Sequence, residues 1–112
     1  MDFPDFAERV AESILSGKVK RGILICGSGI GTCIAANKFK GVRASIAHDV
    51  GSAAQGVMHN DMNVLCMGAK VVDKNLIPYI VESFLNAQFL IDEERFARRV
   101  YKINNIEEKN FK

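Results

Sequence analysis

Three glycines follow a cysteine closely in the stretch Cys26-Gly27-Ser28-Gly29-Ile30-Gly31-Thr32. Glycines let a backbone approach a ligand closely, and a helix beginning at such a loop aims unpaired N–H groups at negative charge. The same helix end would lower the pKa of the Cys26 thiol from about 8.5, so that the thiolate could act as a base or a nucleophile. The alternatives are a tight turn without a ligand and a cysteine that only fills a strand end. We favour a site for an anion or oxyanion.

The nucleotide-binding motifs do not fit this loop. The third glycine of the dinucleotide fingerprint G-x-G-x-x-G would fall on Thr32, and no Lys-Ser or Lys-Thr pair follows the last glycine as in a Walker loop. A metal site is not expected either, because the histidines lack metal-ligand spacing and the cysteines form no C-x-x-C motif. Cys33, inside a helix, and Cys66, inside a strand, are interpreted as packing residues.

Two further features could do chemistry. His59, followed by Asn60, is predicted to lie in a loop between a helix and a strand, where it could exchange protons near neutral pH. Its alternative role is that of a surface histidine that caps backbone groups. Arg95 and Arg99 stand one helical turn apart and could bind a phosphate together, although a solvated face beside the acidic residues 92–94 is the more usual meaning of such charges.

The elements that position these residues alternate between helix and strand. Short apolar runs predict strands at 23–26, 42–47 and 63–67, with helices at about 30–39 and 50–58 between them. Helical periodicity also predicts helices at 4–16, 76–85 and 92–109. This succession indicates a layered α/β fold with a parallel sheet, in which ligands bind beyond the carboxyl ends of the strands. The loops after Cys26, Ala47 and Met67 are therefore the candidate site loops.

The composition excludes several classes of protein. The 112 residues are 48% hydrophobic and 25% charged, which indicates one ordinary globular domain. The net charge of +2 is too small to indicate nucleic-acid binding, and no apolar run reaches the roughly 18 residues of a membrane span. The start of the sequence lacks the basic and apolar regions of a signal peptide. Three cysteines cannot all pair, so we expect reduced thiols in a cytoplasmic protein.

Several motifs occur in a characteristic order between Asp2 and about Ile103: residues 2–7, 22–31, 34–38, 41–44, 52–53 and 59–64, then Arg95 and Arg99. In these motifs the sequence resembles the ribose-5-phosphate isomerase B family, which also includes allose-6-phosphate and galactose-6-phosphate isomerases. The resemblance implies a three-layer αβα, Rossmann-like parallel sheet. It also implies a cofactor-free isomerase of the pentose phosphate pathway that interconverts ribose 5-phosphate and ribulose 5-phosphate through an enediolate.

The resemblance also implies roles for individual residues. Cys26 would be the base that moves a proton between C1 and C2, and Ser28 stands where the family commonly has threonine. His59 would help to open the furanose ring, and Asn60 would bind sugar hydroxyls. The remaining implied groups are backbone amides for the oxyanion and arginines for the phosphate: Gly27, Gly29, Ile30, Gly31, Arg95 and Arg99. The family's sites form across a homodimer, so the arginines would act in the site of the other subunit.

The sequence also departs from the family pattern. Phe3 replaces a tyrosine that lines the site, and Phe96 replaces a histidine near the phosphate. The family's first strand-helix-strand unit, which carries an Asp-His motif, precedes the point at which this sequence starts. We therefore expect residues 1–112 to form a single, N-terminally incomplete domain with strand 23–26 at an edge of the sheet. The alternative to an isomerase is a noncatalytic module of the same family that keeps a sugar-phosphate pocket.

Overall fold

The computed structural model describes residues 2–111. In chain order its elements are α1 (Phe3–Leu15), β1 (Gly22–Cys26), α2 (Ile30–Ala36), β2 (Ala44–Ile46), α3 (Val50–Asn60), β3 (Val64–Gly68), α4 (Ile77–Asn86) and α5 (Glu94–Asn110). A short 3-10 helix at Lys74–Leu76 leads into α4. The predicted succession of helices and strands is confirmed, with differences in the bounds of several elements. Strand β2 is shorter than the predicted 42–47, and α2 ends earlier than the predicted residue 39.

The sheet is parallel, with the strand order β1-β3-β2. Strand β3 is central and buried along its whole length, because helices cover both of its faces. Val64 and Cys66 belong to the core beneath α1 and α2, whereas Leu65 and Met67 belong to the core beneath α3 and α4. This alternation follows from the two-residue period of a strand. The three-layer αβα, Rossmann-like architecture is therefore confirmed.

Helix α1 shows how the sequence sets these layers. Asp2 and Asp5 form a capping box at its start, with Pro at the beginning of the helix. Ala7 and Ala11 are completely buried against the core that they share with α2. Small side chains one helical turn apart let α1 approach its neighbour closely.

The two edges of the sheet differ. Strand β1 forms one edge, and its Ile25 is 49% exposed, although Leu24 is buried on one face and Ile23 packs against the core on the other. At the other edge, the side-chain amide of Asn37 pairs with the backbone of Ala44 in β2. It donates to the Ala44 carbonyl over 2.9 Å and accepts from the Ala44 N–H over 2.8 Å. Asn37 thus occupies the place that a further strand would take.

The C-terminal part of the chain is fixed by polar contacts. The Arg21 guanidinium donates to the carbonyls of Phe84, Leu85 and Ala87, which closes the end of α4. At the far end of α5, Glu107 accepts the Gly41 N–H over 2.9 Å. Helix α5 is therefore held beside the sheet edge formed by β2. Among residues 2–111, no helix has the length and apolar character needed to cross a membrane.

Candidate functional site

The loop after β1 rests directly on the end of β3. The Ala69 N–H donates to the Cys26 carbonyl over 2.7 Å, and the Lys70 N–H donates to the Gly27 carbonyl over 3.1 Å. A Cβ atom on Gly68 would lie 2.5 Å from the Ser28 carbonyl oxygen, so only glycine fits there. Gly29 has a φ of 82° and also lies close to β3, because its Cβ would be 2.9 Å from the Met67 carbonyl carbon.

Cys26 lies at the carboxyl end of β1, as predicted, and its thiol is surrounded by hydrogen-bond donors. The Gly29 N–H donates to the Cys26 Sγ over 3.1 Å, and the Thr32 Oγ1 lies 3.5 Å from the same sulfur. The hydrogen bond with the Thr32 side chain is the largest cause of a lowered Cys26 pKa, and backbone amides add to it against the opposing effect of burial. These contacts stabilise the thiolate relative to the thiol.

Thr32 has two partners for its one hydroxyl proton. Its Oγ1 donates to the Gly29 carbonyl over 3.2 Å and also lies within reach of the Cys26 sulfur. When Cys26 is a thiol, its S–H can donate to the Thr32 oxygen; when it is a thiolate, the hydroxyl can turn and donate to the sulfur. Thr32 is 2% exposed, so water does not compete for this proton. Sequence reasoning did not assign Thr32 a role.

The other two cysteines have different surroundings. Burial raises the pKa of Cys66 to about 12, and it raises the pKa of Cys33 as well. Cys66 is fully buried in the core beneath α1 and α2. Both residues therefore fit the predicted packing role and are poor nucleophiles at neutral pH.

Further side chains border the loop. The Ser28 hydroxyl accepts the Ile30 N–H over 3.1 Å, which tightens the turn into α2. The ring of Phe3 lies against the backbone of Gly31, where an added Cβ would be 2.5 Å from the ring. The side chain of Lys70 runs past Gly27, with Cδ and Cε 3.9 Å from the position of a Cβ there. Lys70 brings a positive charge to the loop, and sequence reasoning had not singled it out.

The prediction that His59 lies in a loop is wrong. His59 and Asn60 lie in the last turn of α3, which continues past the predicted residue 58 to Asn60 and has Asp61 as its C-cap. Asp61 has a φ of 54°, a left-handed conformation that terminates a helix. The His59 ring stacks on Phe96 of α5, with the ring centroids 4.1 Å apart. The Arg95 guanidinium lies 4.7 Å from the centroid of the same Phe96 ring.

The predicted site residues fall into two groups at opposite ends of the strands. The side of the sheet where the strands begin is its amino edge, and the side where they end is its carboxyl edge. Helix α3 leaves the carboxyl end of β2 and returns the chain to the amino end of β3, so its last turn lies at the amino edge. Cys26 and the glycine loop lie at the carboxyl edge. Within one chain the fold therefore places His59, Asn60 and Arg95 together and apart from Cys26.

The arginines of α5 are not equivalent. Arg98 forms an ion pair with Glu94 over 2.6 Å, one helical turn away. This pair neutralises one of the acidic residues near Arg95 and Arg99. The side chains of Arg95 and Arg99 are exposed.

Asn60 lines a cleft of about 480 Å³ between β2, α3 and α5, to which Asn104 and Gln55 also contribute. Cys26 does not border this cleft.

A metal centre finds no support in the part of the chain that the structure describes. No group of three or more His, Cys, Asp and Glu side chains between residues 2 and 111 is arranged to hold a metal ion.

Comparison with known proteins gives consistent matches over most of the chain. A family model described as Ribose/Galactose Isomerase matches residues 1–103. The ribose-5-phosphate isomerase B of Escherichia coli is 44% identical over 108 residues, which cover 96% of this chain and 71% of that protein. D-erythrulose-4-phosphate isomerase 2 of Mycolicibacterium smegmatis is 45% identical over 87 residues, which cover 78% of this chain and 57% of that protein.

A solved structure shows the same arrangement of elements. The ribose-5-phosphate isomerase B of Clostridium thermocellum superposes with a TM-score of 0.91 at 45% identity, covering 97% of this chain and 72% of that chain.

Proposed function

The chain belongs to the ribose/galactose isomerase family, and on that premise we propose that it is an isomerase that interconverts ribose 5-phosphate and ribulose 5-phosphate. Two of the matched proteins carry the name ribose-5-phosphate isomerase B. This reaction would place the protein in the pentose phosphate pathway of the cytoplasm. The observation that carries the proposal is the Cys26 thiol, held at a glycine loop by donors that favour its thiolate.

The chemical step needs one group that takes and returns a proton. The Cys26 thiolate removes the proton from C2 of the open-chain aldose, and the electrons of that C–H bond form the enediolate. The thiol then returns the proton to C1, while the proton of the C2 hydroxyl passes to the oxygen on C1. The isomerisation moves hydrogens within one molecule, so it needs no external oxidant or reductant. A general base in this position contributes about 100- to 10,000-fold to a rate.

The developing negative charge needs donors that are already in place. The Gly29 N–H is engaged with Cys26 and the Ile30 N–H with Ser28, so these two amides shape the loop before a substrate arrives. We assign the oxyanion to the amides of Gly27 and Gly31 and to the charge of Lys70, whose side chain runs beside Gly27. Gly29, Ile30 and the Ser28 hydroxyl support this arrangement.

The remaining groups would come from a second copy of the chain. His59 would exchange a proton with the ring oxygen of the furanose, and Asn60 would bind sugar hydroxyls. Arg95 and Arg99 would bind the phosphate, which suits guanidinium groups that lie one helical turn apart. A homodimer that brings the amino edge of one subunit to the carboxyl edge of the other would complete each site.

Turnover of ribose 5-phosphate by the purified chain tests the proposal. Cys26→Ala should reduce kcat at least about 100-fold. Cys33→Ala is the matched control, because it removes a thiol of raised pKa from the neighbouring helix and should leave kcat near the unmodified value. D-erythrose 4-phosphate is a second substrate for the same assay, since a relative bears the name of a four-carbon sugar phosphate isomerase.

A folded dimer that turns over neither sugar would contradict the proposal. Calorimetric binding of ribose 5-phosphate by such a protein would then support the noncatalytic module. Turnover that survives Cys26→Ala would remove Cys26 as the base.

A further inference from the structure

The imidazole of His48 accepts a hydrogen bond from the backbone of Gly68, with 2.8 Å between the Gly68 nitrogen and the His48 Nε2. A backbone N–H can only donate, so Nε2 must carry a lone pair. The imidazole is therefore neutral, with its proton on Nδ1. The isomerase proposed above makes no use of His48, which lies just after β2 in one of the predicted site loops.

This hydrogen bond extends the series of hydrogen bonds between β2 and β3 by one step beyond the end of β2. The Val64 N–H donates to the Arg43 carbonyl over 3.3 Å, and the Ala47 N–H donates to the Cys66 carbonyl over 3.2 Å. The next donor of β3 on this side is the N–H of Gly68, because parallel ladders use alternate residues. Strand β2 has ended by then, and the His48 side chain takes the place of its next carbonyl.

Gly68 is also the residue on which the glycine loop rests. Its missing side chain makes room for the Ser28 carbonyl, which would lie 2.5 Å from a Cβ atom. Gly29 presses on the same peptide, since its own Cβ would lie 3.1 Å from the Gly68 nitrogen. A shift of Gly68 would therefore displace Ser28 and Gly29, and Gly29 holds the N–H that donates to the Cys26 sulfur.

We propose that His48 is a positioning residue for Cys26, which it controls through Gly68 and the backbone of Ser28 and Gly29. His48 does not touch the reacting atoms in this proposal. Its effect reaches the thiol through the contacts of Gly68 with the backbone of Ser28 and Gly29. Backbone atoms cannot move away from such contacts as readily as the end of a flexible side chain can. The proposal rests on the proposed function, in which Cys26 is the base. Its test must therefore include a measurement of the reactivity of the Cys26 thiol that does not depend on catalysis.

Two variants of His48 test the proposal: one removes the acceptor of the Gly68 N–H, and the other replaces it with a different acceptor. His48→Leu removes the acceptor and puts an apolar side chain in the place of the imidazole, whereas His48→Gln places an amide oxygen at a reach similar to that of Nε2. Ser45→Ala is the matched control, because Ser45 is an exposed residue of β2, the strand that precedes His48. The titratable groups on the neighbouring elements, Asp49, Cys66 and Lys70, are retained in every variant.

The first readout is the rate of Cys26 alkylation by iodoacetamide as a function of pH, followed by peptide mapping to separate the three thiols. His48→Leu should move the midpoint of the Cys26 curve to higher pH, and His48→Gln should bring it back toward that of the unmodified protein. Turnover of ribose 5-phosphate should follow the same order. The loss in His48→Leu should be about tenfold in kcat, the effect of ~1.4 kcal/mol on a barrier, with a smaller change in KM.

Equal midpoints for His48→Leu and the unmodified protein would overturn the proposal, whether or not the chain turns over a sugar. A chain that shows the shifted midpoint but no turnover would instead contradict the proposed function and leave His48 as a positioning residue for the thiol. If His48→Leu fails to fold, the ¹⁵N shifts of His48 in the unmodified protein decide the matter. A protonated Nε2 at neutral pH would exclude the hydrogen bond on which the proposal depends.

Discussion

The rings of His59 and Phe96 are stacked, with 4.1 Å between their centroids and 17° between their planes. Phe96 is 5% exposed, and its ring covers one face of the imidazole. Phe96 therefore gives the His59 ring an apolar support.

The stack leads to a test of ring opening. His59→Phe keeps an aromatic ring on Phe96 but cannot exchange protons, and it should reduce turnover of ribose 5-phosphate about 100-fold. D-Erythrose 4-phosphate cannot close a furanose ring, because its C4 oxygen carries the phosphate, so its turnover should change little. Phe96→Leu is the complementary variant that loses the stacking partner and keeps the imidazole. Equal losses with both sugars in His59→Phe would argue against a role in ring opening.

The contact between Thr32 and Cys26 predicts how kcat/KM depends on pH when the hydroxyl is removed. Its hydroxyl lowers the pKa of Cys26, so Thr32→Val should raise that pKa and leave less thiolate at neutral pH. The acidic limb of kcat/KM should move to higher pH, with about a tenfold loss at pH 7 that is recovered in alkaline solution. Thr32→Ser keeps the hydroxyl and should restore the profile. A uniform loss across the whole pH range would point to misfolding instead.

The phosphate assignment can be tested within one helix. Arg95→Met and Arg99→Met should each raise KM for ribose 5-phosphate about tenfold, with a smaller change in kcat, because each removes a charge-assisted hydrogen bond to the phosphate. Arg98→Met is the matched control, since Arg98 is paired with Glu94 on the same helix. An equal rise in KM for all three variants would show only the effect of net charge.

Two glycines with nearly the same φ allow the cost of a left-handed backbone conformation to be measured separately from the cost of a steric clash. Gly17 has a φ of 81° and open space around it, whereas Gly29 has a φ of 82° and the Met67 backbone 2.9 Å from its missing Cβ. Gly17→Ala should lower the free energy of unfolding by about 1 kcal/mol, the cost of the left-handed conformation alone. Gly29→Ala should cost at least about 3 kcal/mol, measured by urea unfolding. Equal costs would show that the loop can move away from β3.

The sequence was sufficient for features that depend on neighbouring residues. The apolar run 23–26 and the glycines after it predicted a strand, a tight loop and a helix start, and the structure has all three. The strand is not buried along its length, because β1 lies at the edge of the sheet and only its Leu24 is buried. The end of α3 was not predictable in the same way. It depends on the left-handed conformation of Asp61, which a non-glycine residue adopts uncommonly, and this moved His59 from the expected loop into the helix.

The contacts around Cys26 and Gly68 that join different elements of the fold were not predictable either. Lys70 and His48 approach the loop only because the strand order places β3 between β1 and β2. Thr32 is within the glycine motif, but its importance comes from its burial beside the sulfur, which depends on how α2 packs. Spacing along the chain carries no information on such contacts.

The separation of Cys26 from His59 and Arg95 has a genetic consequence. In the proposed dimer each site takes its base from one subunit and its phosphate ligands from the other. A chain with Cys26→Ala and a chain with Arg95→Met are then each impaired at every site of their own homodimers. Mixed dimers of the two would place both changes in one site and leave the second site unaltered. Two defective alleles expressed in the same cell should therefore complement each other.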